Sequence, residues 1–86
     1  MNIKIRFTSH AKEKLLRLAK IGITKEKAIK TVKNPEKIVN GYFGRKIAQR
    51  FLSNKLVIRV VYEKKENKIL IITVYPGERR RYEDKI

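Results

Sequence analysis

The chain has 86 residues, which is enough for one small hydrophobic core and too few for a second catalytic domain. It contains no cysteine and one histidine, which excludes disulfide frameworks, cysteine nucleophiles and ordinary thiolate or histidine metal sites, and we expect no cofactor. Lysine and arginine number 23 and aspartate and glutamate 8, so the formal net charge of +15 predicts an anionic partner.

The N-terminal part of the chain predicts a strand followed by a helix. Apolar and charged residues alternate over residues 3–7, which is the period-two pattern of a half-buried strand. Thr8 or Ser9 then supplies an N-cap for a helix over about 9–21, and Gly22 fits the position just after its end. The expected apolar stripe of this helix consists of Ala11, Leu15, Leu16, Leu18 and Ala19.

A second helix follows directly. Thr24 can cap its N-terminus, and Asn34-Pro35 ends it because proline cannot continue the helical hydrogen-bond ladder. The residues expected to face inward are Ala28, Ile29 and Val32. The two helices therefore form a helical hairpin.

The remainder of the chain predicts strands. The expected extended segments are 37–39, 45–52, 56–63 and 68–75, with Pro76-Gly77 ending the last of them. The order is β-α-α-β-β-β-β, which indicates an α+β fold with the helical hairpin packed on one face of a mainly antiparallel sheet. We expect a single domain over 1–86, with a folded core at 1–77 and a basic tail at 78–86.

The turn between the second and third of these segments decides which side chains share a face. A two-residue turn within 53–55 places Phe51 opposite residue 56 or 58. The apolar face is then Ile47, Phe51, Leu56, Ile58, Val60 and Tyr62. Lys46, Arg50 and Arg59 are predicted to project together from the opposite face, which the helices leave bare and which carries no carboxylate.

The last hairpin has two possible registers. A three-residue loop at 65–67, with Asn67 in the left-handed conformation, puts Thr73 and Tyr75 beside Arg59. The core residues of that register are Leu70, Ile72 and Val74. A four-residue loop reverses the two faces, and we favour the three-residue loop.

A basic strand face edged by tyrosines suits a single-stranded polyanion, because cations neutralise phosphates and phenol rings stack on unpaired bases. The predicted nucleic-acid-binding residues are Arg45, Lys46, Arg50, Arg59, Arg79, Arg80, Arg81 and Tyr82. The alternatives are structural: a solvated lysine-rich surface, a frayed arginine-rich terminus, and Tyr42 and Phe43 covering the sheet edge. His10, in the first turn of helix one, is a structural residue or an auxiliary one.

Residues 1–7 contain no apolar signal-peptide core, and the longest apolar stretch, 69–75, is far shorter than the ~20 residues that span a bilayer. We therefore expect a cytoplasmic protein without a membrane partner. The sequence leaves the oligomeric state open.

The whole chain resembles small domains of unknown function grouped with the RelE/ParE toxin superfamily. The shared features are His10-Ala11 at the start of helix one, Gly22-Ile23-Thr24 between the helices, Asn34-Pro35 after helix two, and 69–75 as the last strand. The resemblance implies a RelE/ParE-like fold. It also implies a toxin that cleaves messenger RNA in the ribosomal A site, or one that inhibits DNA gyrase, together with an acidic antitoxin partner.

If RNA cleavage carries over, a 2′-hydroxyl attacks its neighbouring phosphate without a metal. Arg50 and Arg59 would stabilise the phosphorane, and Lys46 or Tyr75 would transfer protons. The Glu/His acid-base pair of some members is not matched, since residues 76–77 are proline and glycine. The resemblance therefore implies a ribosome-dependent lysine/arginine mechanism. The alternative is a noncatalytic module that binds RNA or an acidic protein.

Overall fold

The computed structural model describes residues 3–82. The strands are β1 (Lys4–Phe7), β2 (Lys37–Asn40), β3 (Lys46–Phe51), β4 (Leu56–Lys65) and β5 (Lys68–Glu78). The helices are α1 (Ser9–Leu18), α2 (Lys25–Lys33) and α3 (Arg79–Tyr82), with 3₁₀ turns at Ala19–Ile21 and Tyr42–Gly44. The predicted α+β fold and the β-α-α-β-β-β-β order are confirmed, and α3 adds one short helix after the last strand.

The sheet has the strand order β1-β5-β4-β3-β2. Strand β1 pairs in parallel with β5, and the other neighbours are antiparallel. Helix α1 packs on β5, and α2 packs on β4 and β3. Apolar residues from both helices and from one face of the sheet form one core, which confirms the predicted helical hairpin over a mainly antiparallel sheet.

The predicted helix signals are confirmed. The Thr8 hydroxyl accepts a hydrogen bond from the Ala11 N–H (3.1 Å) and donates one to the Ile72 carbonyl oxygen (2.8 Å). The Thr24 hydroxyl accepts from the Lys27 N–H at 3.3 Å. Gly22 has φ 85°, the left-handed conformation in which glycine has no steric penalty.

The buried core lies between the helices and the sheet. Its members are Ala11, Leu15, Ile23, Ala28, Val32, Ala48, Ile58, Val60, Tyr62, Ile69, Ile71 and Val74. The predicted stripe of α1 is wrong at Leu16, which is 79% exposed, and at Ala19, which is also exposed. Leu16 lies about 100° around the helix from Leu15, so it points away from the sheet.

The register of the β3–β4 hairpin differs from the prediction. Phe51 lies opposite Val57, so the loop has three residues, 53–55, instead of two. The Ser53 hydroxyl stabilises it by accepting hydrogen bonds from the N–H groups of residues 55 and 56, both at 3.2 Å. One additional residue exchanges the two faces of β3, so that Ala48 is buried in the core and Ile47 is turned away from it.

The β4–β5 hairpin combines two features that the sequence did not reveal. Lys65 pairs with Lys68 across a two-residue turn, in which Glu66, not Asn67, has a positive φ of 57°. A register shift after Val61 then leaves Ile72 as an extra residue in β5. The three-residue-loop prediction is therefore wrong near the turn, where Ile69 and Ile71 are buried. The prediction is right beyond the extra residue Ile72, where Val74 is buried and Tyr75 lies opposite Arg59.

The last strand also runs further than predicted. Strand β5 continues through Pro76-Gly77 to Glu78. Proline is tolerated there because β1 pairs with β5 only as far as Ile71, which leaves an unpaired edge beside Pro76. Helix α3 then turns back, and its first N–H, from Arg79, donates to the Lys55 carbonyl oxygen at 2.8 Å. The predicted tail at 78–86 is thus structured through residue 82, and 83–86 lie outside the described residues.

Candidate nucleic-acid interface

We call the sheet surface turned away from α1 and α2 the open face. Its central row runs across three strands, with Arg59 between Gln49 on β3 and Tyr75 on β5. The next row is formed by Ile47, Val61 and Thr73. The neighbouring residues Ala48, Val60 and Val74 belong to the core on the helix side, which fixes the side to which the central row points.

Arg59 and Tyr75 form a pair at the centre of the open face. The guanidinium carbon of Arg59 lies 5.7 Å from the centroid of the Tyr75 ring, within the range of a cation–π contact. Both side chains are half-buried and arise from adjacent paired strands, so the backbone fixes their spacing. The pair places a positive charge and an aromatic ring side by side on the open face.

Two further arginines, Arg45 and Arg79, lie on the open face, one towards each end of the strands from Arg59. Arg45 donates from Nε to an oxygen of Glu63 at 3.0 Å, and both side chains remain partly exposed. The Arg79 guanidinium lies over the Phe51 ring, 3.9 Å from its centroid, and donates to the Ser53 carbonyl oxygen at 3.2 Å. The open face therefore carries cations in addition to Arg59.

Glu63 corrects the prediction that this face has no carboxylate. It lies on β4 opposite Leu70, on the same side as Arg59. Four residues of strand place Glu63 roughly 13 Å from Arg59 along β4, because each residue advances about 3.3 Å. The Glu63 carboxylate accepts its hydrogen bond from Arg45.

The prediction that Lys46 and Arg50 share a face with Arg59 is wrong. Lys46 lies opposite the buried Tyr62, and its Nζ donates to the Asn40 side-chain oxygen at 2.8 Å. Arg50 lies on the same helix-side surface, and its Nη1 donates to the Asn34 carbonyl oxygen at 2.5 Å. Arg50 therefore caps the C-terminus of α2, where a cation also interacts favourably with the helix dipole.

The other predicted residues are more peripheral. Arg81 pairs with Glu78 at 3.0 Å in a largely exposed contact, and Arg80 is exposed. Tyr82 is the last residue of α3, and its side chain lies outside the described part of the chain. His10 is exposed in the first turn of α1, on the helix side of the sheet and therefore away from Arg59.

The loop between β2 and β3 differs from its predicted role as a cover for the sheet edge. Tyr42 and Phe43 do not cover the sheet edge: they are 86% and 90% exposed. Phe43 has φ 59°, a left-handed conformation that is unfavourable for a bulky residue. The available signal was an aromatic pair between two glycines, Gly41 and Gly44, which is typical of a tight turn that displays its central side chains.

A basic depression lies at the far end of the open face. It has a volume of about 360 Å³ and lies where β1 meets the β4–β5 turn. Its charged lining consists of Lys4, Arg6, Lys65, Lys68 and Glu63.

Within residues 3–82, no three histidine or acidic side chains come together in a way that could hold a metal ion. No helix in that range is long and apolar enough to cross a membrane.

These features define a small α+β domain with a basic, aromatic open face. Residues 7–76 match the family model described as a domain of unknown function, DUF4258, and the chain belongs to that family. No curated protein matches the chain.

The fold is similar to a solved structure, the solution structure of the conserved hypothetical protein HP0894 from Helicobacter pylori. The TM-score is 0.52 at 11% sequence identity, and the match covers 87% of this chain and 94% of that chain. At that identity the similarity extends to the fold alone.

Proposed function

We propose that this protein is a RelE/ParE-like domain that binds single-stranded RNA on its open face. The observation that carries the proposal is the Arg59–Tyr75 pair, a half-buried cation lying against an aromatic ring at the centre of the sheet surface that faces away from α1 and α2. Arg45 and Arg79 add cations on the same face. Phosphates bind to such cations, and unpaired bases stack on such rings.

The net charge of +15 supports the same partner class. Neutralising a phosphate releases the counterions condensed around it, and this release supplies most of the affinity of nonspecific nucleic-acid binding. A shallow face also suits a single strand, whose bases are accessible, better than an RNA duplex, whose bases are enclosed.

Binding should depend on Arg59 and not on Arg50. Arg59→Ala is expected to weaken binding of a labelled single-stranded RNA several-fold and to reduce the log-log salt slope by about 0.7, the value for one phosphate contact on a single strand. Arg50→Ala removes the same charge from the opposite face and is the matched control. The measurement is fluorescence anisotropy between about 50 and 200 mM salt.

Equal losses of affinity and equal changes in slope for the two variants would contradict the proposal, because they would show a diffuse charge effect with no role for the open face. Circular dichroism of both variants establishes that each is folded before binding is compared.

Ribosome-dependent cleavage of messenger RNA is a second candidate, favoured by the phenol beside the guanidinium. In this reaction the 2′-oxygen bonds to phosphorus, the bond from phosphorus to the 5′-oxygen breaks, and a 2′,3′-cyclic phosphate forms. Arg59 would stabilise the extra phosphorane charge, and the Tyr75 phenol would donate a proton to the leaving 5′-oxygen. The 2′-hydroxyl proton leaves to solvent. Lys46 and Arg50 contribute nothing here because they lie on the opposite face.

Cleavage is tested by inducible expression while growth and messenger RNA ends are followed. Wild-type protein should arrest growth and generate new ends, whereas Tyr75→Phe should keep RNA affinity and lose cleavage, since it removes only the hydroxyl. Unchanged ends with wild-type protein would exclude cleavage. DNA-damage signalling with intact messenger RNA would instead indicate gyrase inhibition. Binding of an acidic protein without binding of RNA would indicate a noncatalytic protein-binding module.

A further inference from the structure

The loop between β2 and β3 presents two aromatic rings almost entirely to solvent. Tyr42 is 86% exposed and Phe43 is 90% exposed. Their ring centroids are 6.3 Å apart, with the planes tilted by 50°. Two neighbouring aromatic side chains with so little buried surface contribute little to the stability of the domain, and large exposed apolar groups of this kind mark binding surfaces.

The backbone holds this loop in one conformation. The Gly41 N–H donates to the Arg45 carbonyl oxygen at 2.8 Å, and the Arg45 N–H donates to the Tyr42 carbonyl oxygen at 3.1 Å. Gly44 has φ 75° and Phe43 has φ 59°, so the turn places a bulky residue in a conformation that glycine would adopt without strain. The rings are therefore displayed by a closed turn.

A groove joins these rings to the centre of the open face. It has a volume of about 640 Å³ and reaches from the loop to Tyr75. Its floor is apolar, formed by Ile47 and Val61, and Arg45 lies at its side. Aromatic rings thus lie at both ends of the groove, with cations beside it at Arg45 and Arg59.

We propose that this groove is a stacking subsite for unpaired nucleobases of an RNA strand whose phosphates contact Arg45 and Arg59. The inference rests on the proposed RNA binding and identifies where the bases lie. A nucleotide has a flat apolar base joined to a negative phosphate, and the groove offers an apolar, aromatic floor beside cations. A paired base hides both of its faces in the helix stack, so the subsite selects single strands.

The test compares two strands that differ only in their bases. Wild-type protein and the Tyr42→Ala/Phe43→Ala double variant are titrated with a single-stranded RNA and with an abasic strand of equal length. The double variant should bind the base-containing strand about tenfold more weakly, should bind the abasic strand equally well, and should keep the wild-type salt slope. Leu16→Ala, which removes an exposed apolar side chain from α1, is the matched control and should bind as wild type does.

The other outcomes overturn the inference in distinguishable ways. If Arg59→Ala weakens binding while the double variant does not, the RNA site stands and the stacking subsite is wrong. Equal weakening on the abasic strand would show that the rings contact the backbone. If wild-type protein binds anionic phospholipid vesicles and the double variant does not, while both bind RNA equally well, the rings belong to a membrane-binding surface. If wild-type protein binds neither strand, the proposed function fails, and the stacking subsite fails with it.

Discussion

Glu66 illustrates how single residues depart from their preferred conformations. Together with Phe43 it is one of two residues other than glycine with a positive φ within residues 3–82. The sequence favoured Asn67 for this conformation, because asparagine tolerates it more readily than glutamate. The hairpin register placed Glu66 there instead. Thr24 and Gly22 were predicted correctly because their roles depend on residue type and immediate neighbours alone, and Thr8 was one of the two residues predicted as the cap of α1.

The strain at Glu66 predicts a difference between two substitutions. Glu66→Gly should give a protein about 1 kcal/mol more stable than Glu66→Ala, because alanine keeps the Cβ that disfavours a positive φ. Both variants remove the same charge from a turn flanked by Lys65 and Lys68, so electrostatics cancel in the comparison. Urea denaturation measures the two free energies of unfolding. Equal stabilities would show that the turn relaxes to a negative φ.

At the scale of elements, the sequence predicted which segments are strands but not all of their faces. The two faces of a strand alternate with a period of two, so one miscounted loop residue reverses a whole strand. The hydroxyl of Ser53 stabilises a three-residue loop that the sequence did not distinguish from a two-residue turn. As a result Arg59 and Tyr75 were correctly placed on the open face, whereas Lys46 and Arg50 were not.

The N-terminal caps of α1 and α2 differ, because the cap residue of α1 also forms a hydrogen bond to β5. Thr8 caps α1 and also donates to the carbonyl oxygen of Ile72, the extra residue in β5, whereas the hydrogen bond at the Thr24 cap is solvent-exposed. Thr8→Ala should therefore cost about 2 kcal/mol in the free energy of unfolding, and Thr24→Ala about 1 kcal/mol or less.

Thr8→Ser retains the hydroxyl and serves as the conservative control. It should recover most of the stability lost in Thr8→Ala, measured by the same urea titration. A loss at Thr24→Ala equal to that at Thr8→Ala would indicate that the bond to Ile72 contributes nothing beyond the cap.

On the scale of the whole molecule, the chain has a net charge of +15, and its described part has principal extents of only 33 × 30 × 25 Å. At 0.01 M salt the Debye length is about 30 Å, so cations repel one another across the entire domain. At 0.15 M it is about 8 Å, and repulsion is limited to close neighbours. The folded state concentrates this charge more than the unfolded chain does, which destabilises it at low salt.

The thermal midpoint should therefore rise by several degrees between 0.01 and 0.15 M sodium chloride, while RNA affinity falls over the same range. Circular dichroism measures the midpoint. Sodium chloride is used in place of phosphate or sulfate, because a bound polyvalent anion would stabilise the folded state by mass action. A midpoint that falls with salt would show that attractive ion pairs, such as Arg45–Glu63, outweigh the repulsion.

The interior position of β5 in the sheet has a consequence for biosynthesis. The ribosome makes β5 after every other strand, yet β5 separates β1 from β4 and supplies the surface on which α1 packs. A nascent chain that has emerged only through β4 therefore leaves β1 without a sheet neighbour and α1 without most of its packing surface. Because these contacts join distant parts of the chain, the domain completes folding only after β5 has been synthesised, and until then the apolar side of α1 is accessible to chaperones and proteases.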